Sequence, residues 1–270
     1  MSDFKNILIF GCGNMGGAML TGWLAAGIEP ARFTIVDPAL AEAPESVRLL
    51  REVPSEESFE AILLGVKPQL LGDVAPKVEP LAGQGTVMLS ILAGVELETL
   101  ATHFPRAGAI VRVMPNLAAA LGKSPIALIG AGLSDQPPGK VDALMAPLGQ
   151  VEWLESEQLM DLVTALAGSG PAFVYRFIDA LAAGAKGLGL PSLQAERLAV
   201  AMVEGAGALA AASAHSPGEL ARRVASPGGV TQVGLDILDE GDSLALLVAK
   251  CLRGAADRSA EMAEEARSQG

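Results

Sequence analysis

Six residues near the amino terminus, Gly11-Cys12-Gly13-Asn14-Met15-Gly16, set three glycines at the spacing G-x-G-x-x-G. The β-rich run Asn6-Ile7-Leu8-Ile9-Phe10 precedes them and a helical pattern follows, which is the context a phosphate-cradling turn requires. The first glycine permits the tight turn, the second lets backbone approach a pyrophosphate, and the third lets helix pack on strand. The helix start, with Asn14 and Met15, then offers N–H groups and the positive end of its dipole to the phosphates. Asp37 closes the next β-rich run, 21 residues after Gly16. A carboxylate there accepts hydrogen bonds from an adenosine ribose and repels a 2′-phosphate. The expected cofactor is NADP(H) or NAD(H), with Asp37 tilting the choice toward NAD(H). Asp37-Pro38 is also ordinary turn and capping material.

Three further groups of residues carry candidate chemistry. Val66-Lys67-Pro68, Ala93 within Ser90-Ile91-Leu92-Ala93-Gly94, and Asn116 all follow β-rich runs, where open parallel sheets bind ligands. A surface lysine and a capped turn are the plainer readings of Lys67 and Asn116. Gly168-Ser169-Gly170-Pro171 suits a close backbone crossing and a helix with proline in its first turn, or simply a tight interhelical turn. Ser226-Pro227-Gly228-Gly229-Val230-Thr231 precedes an expected helix, so its glycines can turn several N–H groups toward one anion. The same residues also make an unadorned cap and proline turn.

The remaining reactive side chains suggest little. His103 and His215 stand far apart, and Cys12 and Cys251 can form neither a disulfide framework nor a multi-thiolate site, so no metal is expected. Cys12 reads as a small apolar filler. Tyr175, the single tyrosine, is spaced with Phe173 and Phe177 as a core aromatic rather than an acid. Arg222-Arg223 reads as a solvated helix face.

These residues must be held by two kinds of chain. From residue 5 to about 155, β-rich runs at 6–10, 33–37, 61–66, 86–91 and 109–114 alternate with helical stretches expected at 14–26, 44–52, 68–80 and 96–103. Such alternation implies a parallel sheet flanked by helices. Runs at 126–130 and 151–154 suggest extra edge strands around a helix near 138–147. From about 156 the β runs vanish, and Ala/Leu/Gly-rich helices are expected near 171–189, 192–213 and 243–267. The expected domains are therefore 1–155 and 156–270, a Rossmann-type doubly wound α/β domain followed by an all-α one.

The helical half has broad apolar faces, which must be buried somewhere. About 110 residues of such helices can hardly cover themselves, so an intertwined homo-oligomer, most simply a homodimer, is expected over a self-contained bundle. Lys and Arg number 19 against 31 Asp and Glu, a net charge of −12 that opposes nucleic acid and anionic membrane. No run reaches the roughly 18 apolar residues of a membrane span, and the start does not read as a signal peptide. A cytoplasmic location is expected.

In this order and at these separations, Val66-Lys67-Pro68, Ser90–Gly94, Arg112-Val113-Met114-Pro115-Asn116, Thr164–Phe173 with its Gly-Ser-Gly-Pro-Ala core, and Ser226–Thr231 resemble the motif series of the pyrroline-5-carboxylate reductase family. The resemblance runs over essentially the whole chain. It implies NAD(P)H-dependent reduction of 1-pyrroline-5-carboxylate to L-proline, the last step of proline biosynthesis. It implies a C-terminal helical dimerisation domain, and an active site between the two domains at the dimer interface. Some members assemble into rings of dimers, which the resemblance leaves open here. It gives Gly228, Gly229 and Val230 the substrate carboxylate, Thr231 the ring nitrogen with Ser226 as a second polar contact, and Ser169, Gly170 and Pro171 a wall of the active site. Val66 and Lys67 would reach the cofactor through their backbone. The chain departs from the family's usual pattern at Leu117-Ala118, Val230 and Phe173, which bears on the shape of the substrate pocket. A β-hydroxyacid or other imine reductase shares the fold plan, but hydroxyacid dehydrogenases place a catalytic lysine on an early interdomain helix, whereas here the first lysine after Gly168-Ser169-Gly170-Pro171 is Lys186, a full stretch later. A dinucleotide-binding regulator without turnover would not need the polar Ser226–Thr231 loop.

Overall fold

A computed structural model describes residues 4–55, 57–133 and 138–268. Its strands are β1 (Ile7–Phe10), β2 (Phe33–Val36), β3 (Arg48–Leu50), β4 (Ala61–Leu64), β5 (Val87–Ser90), β6 (Ala109–Met114), β7 (Ser124–Ala131) and β8 (Gly149–Trp153). The helices are α1 (Asn14–Ala25), α2 (Leu71–Val78), α3 (Leu97–His103), α4 (Pro138–Met145), α5 (Met160–Val163), α6 (Gly170–Gly187), α7 (Ser192–Ala212), α8 (Pro217–Val224), α9 (Val230–Asp239) and α10 (Ser243–Ser268).

The eight strands form one sheet in the order β3-β2-β1-β4-β5-β6-β7-β8. Neighbours are parallel except β6 and β7. The first six strands therefore have the doubly wound 3-2-1-4-5-6 order, whose direction reverses between β1 and β4. The central strands β1 and β4 are apolar at every position and buried on both faces, whereas β2, β5 and β6 each carry one buried polar residue, Thr34, Ser90 and Arg112. Ile7, Ile9, Ala61, Leu63, Val87 and Leu89 pack into one core with Met19, Trp23 and Leu144. Leu8, Phe10, Ile62, Leu64 and Met88 enter the opposite core with Val74, Val78 and Leu100. Trp23 stacks on Phe33 with ring centroids 5.3 Å apart, and its indole N–H donates to the Leu144 carbonyl at 2.7 Å.

The segment expected as a helix over 44–52 contributes β3, which pairs with Thr34–Val36 at the sheet edge. Ser46 has a φ of 65°, in the left-handed region, which breaks any helix there. Arg48 makes a two-pronged ion pair with Glu57 at 2.7 and 2.8 Å, and Arg51 donates to the carbonyls of Asp37, Leu40 and Ala41. Edge pairing and these arginine contacts outweigh a weak local helix preference.

The chain divides into two compact units, one of residues 1–168 with 254–270 and one of residues 169–253. The segment 156–168, grouped with the helical half by its composition, packs with the sheet: Met160 shares a core with Met114 and Ala127. Past Arg253, α10 joins the same unit. Ser259 donates to the Asp161 carboxylate at 2.7 Å, and Gly94 takes a positive φ where a Cβ would stand 3.2 Å from the Ala263 nitrogen. The helical unit buries little of its own: Ala182, Ala195 and Ala199 form its core. Phe173, Tyr175 and Phe177 are exposed on the single chain, Tyr175 by 67%, so they are not core aromatics of this protomer. The residues that pack against its alanines are Ile178, Leu181, Ala185 and Leu190 instead.

Candidate active site

Parallel pairing aligns Phe10, Val36, Leu64 and Ser90 in one row across the sheet. The residues just beyond therefore form a second row at the carboxyl edge. Gly11 donates to the Val36 carbonyl at 2.9 Å, Gly65 to Phe10 at 2.8 Å and Ile91 to Leu64 at 3.2 Å. Asp37, Gly11, Gly65-Val66 and Ile91–Ala93 are brought together across the point where the strand order reverses, the crevice that binds ligands in such sheets. Asn116 lies two residues past the end of β6, where it caps the short helical turn Leu117–Leu121.

The glycine turn is close-packed from below and open above. Gly11 has a φ of 85°, and a Cβ on it would stand 2.8 Å from Val66 Cγ1. A Cβ on Gly16 would stand 2.9 Å from the Gly11 carbonyl oxygen, so α1 abuts the turn through bare backbone. Gly13 is exposed, with no heavy atom within 4 Å of where its Cβ would lie. As N-cap of α1 it offers no side-chain cap, and the first turn carries no acidic residue. The leading N–H groups of a helix have no partners within it. These residues fit a pyrophosphate.

Asp37 is held by three N–H donors. Its Oδ2 accepts from Cys12 at 2.8 Å, and its Oδ1 from Ala39 at 2.8 Å and Leu40 at 3.1 Å. The turn-forming role foreseen for Asp37-Pro38 is thus realised, and it fastens the second strand's exit to the glycine turn. Burial first, and the Asp37 charge second, push the Cys12 thiol up to about 11. The thiol stays neutral, as a filler should. Lys67 is exposed and caps the short helical turn Pro68–Leu70. Asn116 is buried, and both ends of its side chain are engaged, Oδ1 by the Ala118 N–H and Nδ2 by the Ala167 carbonyl, each at 2.9 Å.

The second constellation lies in the helical unit. Gly229 N–H donates to the Ser226 carbonyl at 2.9 Å, closing a turn with Pro227 in its second position and Gly228, at a φ of 67°, in its third. Proline there and positive φ next define a type II turn. Gly229 is the N-cap of α9, which has neither a side-chain cap nor an acidic residue in its first turn. Because Gly229 spends its N–H inside the turn, an anion would meet the free N–H groups of Val230 and Thr231 instead. Thr231 is half-buried, whereas the Val230 side chain is 92% exposed. Ser169, Gly170 and Pro171 open α6, with Pro171 in its first turn.

Several supporting residues stand outside the motifs that the sequence marks. Gly65 lies against Gly11, where a Cβ would stand 2.3 Å from the Gly11 oxygen. Ser124 accepts the Asn116 backbone N–H at 2.9 Å. Glu157 accepts from Arg112 at 2.6 Å and from the Leu97 N–H at 2.8 Å, tying β6 to the start of α3. Only the glycine after an apolar run could have been suspected; the others are partners remote along the chain. Among the described residues, no group of three or more His, Cys, Asp or Glu side chains is placed to hold a metal.

Comparison with known proteins agrees with this arrangement. Residues 157–262 match the family model described as pyrroline-5-carboxylate reductase dimerisation, and residues 6–94 match that of NADP oxidoreductase, coenzyme F420-dependent. The chain is 34% identical over 272 residues to pyrroline-5-carboxylate reductase 2 of Bacillus subtilis, covering 97% of this chain and 96% of the relative. It is 31% identical over 269 residues to the pyrroline-5-carboxylate reductase of Pisum sativum, covering 97% of each. The solved structure of a pyrroline-5-carboxylate reductase from Coxiella burnetii superposes with a TM-score of 0.87 at 27% identity, over 95% of this chain and 98% of that one. With two curated relatives above 30% identity along nearly their whole length and the sheet-edge geometry such an enzyme needs, the chain belongs to the pyrroline-5-carboxylate reductase family.

Proposed function

We propose that the protein reduces the C=N bond of 1-pyrroline-5-carboxylate to give L-proline, at the expense of NADH or NADPH. The observation that carries this reading is the identity of 31–34% extending over 97% of the chain, both units included. The dinucleotide supplies a hydride to the imine carbon, and a proton completes the nitrogen. The chain's own work is binding and placement. The glycine turn and α1 hold the pyrophosphate, Val66 and Ala93 bound the crevice on one side, and Asp37 takes the ribose. The free N–H groups of Val230 and Thr231 take the substrate carboxylate, and the Thr231 hydroxyl, with Ser226 nearby, serves the ring nitrogen. Ser169-Gly170-Pro171 forms a wall beside the reacting ring. No strong acid is required, because a pyrroline imine near neutral pH can arrive already protonated.

NADH is the preferred donor in this reading. The Asp37 carboxylate is pinned by three N–H groups, and Arg51, the nearby cation, is engaged with three carbonyls. A 2′-phosphate would meet the fixed negative charge of Asp37, while Arg51 directs its N–H groups to backbone carbonyls. A homodimer is supported by the helical unit's exposed apolar residues, among them Leu188 at 93% and Val230 at 92%. A ring would read as a multiple of that dimer by light scattering. Among the described residues no helix is long and apolar enough to cross a membrane; with two free cysteines, Cys12 and Cys251, this supports a cytoplasmic enzyme.

The test follows NADH and NADPH oxidation with 1-pyrroline-5-carboxylate, using intact protein and Thr231→Ala, with 1-piperideine carboxylates as competitors. Turnover that is faster with NADH and falls in Thr231→Ala is the expected result. Absence of turnover with either cofactor would overturn the reading in favour of a binding protein.

A further inference from the structure

Two of the motifs meet at a single hydrogen bond. Asn116 is 6% exposed, and its Nδ2 donates to the Ala167 carbonyl 51 residues away. Ala167 lies in the π-helical segment Thr164–Gly168 and is itself buried. Continuing as a helix, its carbonyl would be met by the N–H of residue 171. That residue is Pro171, which has none. The next N–H, of Ala172, donates to Ser169 at 3.0 Å. The proline that starts α6 thus deprives a buried carbonyl of its helical donor, and Asn116 supplies the replacement. A buried carbonyl left unpaired is destabilising, so the asparagine and the proline answer one another. Asn116 is in turn fixed by the Ala118 N–H on its Oδ1 and by Ser124 on its backbone. Both ends of its side chain are thus tied to the protein, which fixes its orientation.

We infer that Asn116 is a positioning residue: by holding the Ala167 carbonyl it sets the π-helical segment and so the placement of Ser169-Gly170-Pro171 at the start of α6. The inference rests on the reading of those three residues as a wall of the active site. Single-turn π segments recur at functional sites, where they re-aim the residues that follow.

Asn116→Asp separates this role from direct contact. The aspartate keeps the shape and the acceptor for Ala118 but presents a carboxylate to the Ala167 carbonyl at neutral pH. Once protonated it can donate again. Relative to intact protein, kcat/KM for the imine should fall about ten-fold at pH 8 and recover toward pH 5.5, whereas in Asn116→Ala it falls similarly without recovery. NADH affinity, read by fluorescence titration, should stay within about two-fold in both variants, and amide hydrogen exchange over residues 164–172 should accelerate in both at pH 8. If Asn116→Ala does not fold, Asn116→Asp compared between the two pH values carries the test alone. NADH affinity falling in step with kcat/KM, a flat pH ratio for Asn116→Asp, or unchanged exchange over 164–172 would each overturn the inference. Should intact protein not turn over the imine, the reductase reading fails, and exchange with NADH titration still decides whether Asn116 holds the segment.

Discussion

Gly16→Ala sets two effects of opposite sign against each other at the heart of the nucleotide turn. Alanine is favoured over glycine in a helix by about 1 kcal/mol. Against this, the new Cβ would stand 2.9 Å from the Gly11 carbonyl oxygen, where an ordinary carbon–oxygen contact is about 3.3–3.6 Å. Gly11 has little room to recoil, because Gly65 lies against the same carbonyl oxygen, where even a Cβ on Gly65 would stand only 2.3 Å away. The amino terminus of α1 must therefore retreat by a few tenths of an ångström, an overpacking strain of about 1–3 kcal/mol. Gly17→Ala is the control, since its Cβ would come only within 4.0 Å of the Cys12 oxygen and it shares the same helix preference. The difference between the two variants isolates the strain, so Gly16→Ala should melt roughly 2–10 °C below Gly17→Ala in scanning calorimetry. Because the retreating N–H groups are those offered to pyrophosphate, NADH affinity should drop about ten-fold in Gly16→Ala and hold in Gly17→Ala. Equal melting points and equal NADH affinities would refute both the close-packing argument and the placement of the dinucleotide.

Two further outcomes test the supports of the site. In a Cys251→Ser background, Cys12 should resist a neutral disulfide reagent at pH 8 while folded and react on unfolding, because burial and the Asp37 charge keep its thiol protonated up to about 11. A folded pKa above the ordinary 9.0 means the native state holds that proton more tightly, so stability should fall as pH rises from 9 toward 11, a slope reduced in Cys12→Ala. Glu157→Ala leaves the Arg112 guanidinium, whose side chain is 6% exposed, buried without its partner, and should lower unfolding free energy in urea by about 3–5 kcal/mol. Adding Arg112→Met should restore part of that loss; no recovery would show that the pair is not what holds β6 to the start of α3.

The sequence by itself determined the elements whose signal is local. Mainly apolar runs of strand length at 6–10, 33–37, 61–66, 86–91 and 109–114 became β1, β2, β4, β5 and β6, because a strand covered on both faces reads as a near-continuous hydrophobic run. The glycine turn was legible for a similar reason: tight turn, open backbone and helix start are properties of six consecutive residues. So was the turn at Ser226–Gly229, where proline followed by glycine prescribes its own φ angles. What the tertiary structure alone decided depends on partners distant along the chain. Residues 44–52 carry no strong period, and pairing with β2 made a strand of their centre where local preference suggested a helix. Asn116 follows a strand at the ligand-binding edge, but that one of its amide N–H groups holds a carbonyl for which Pro171 has no donor depends on a segment 51 residues away. The segment 156–168 reads as helical and does form helical turns, but Met160 and the Asp161–Ser259 bond, which spans 98 residues, attach it and the end of α10 to the sheet. Period and turn chemistry are written in neighbouring residues, whereas hydrogen-bond satisfaction in a buried place is settled by whichever segment the fold brings alongside.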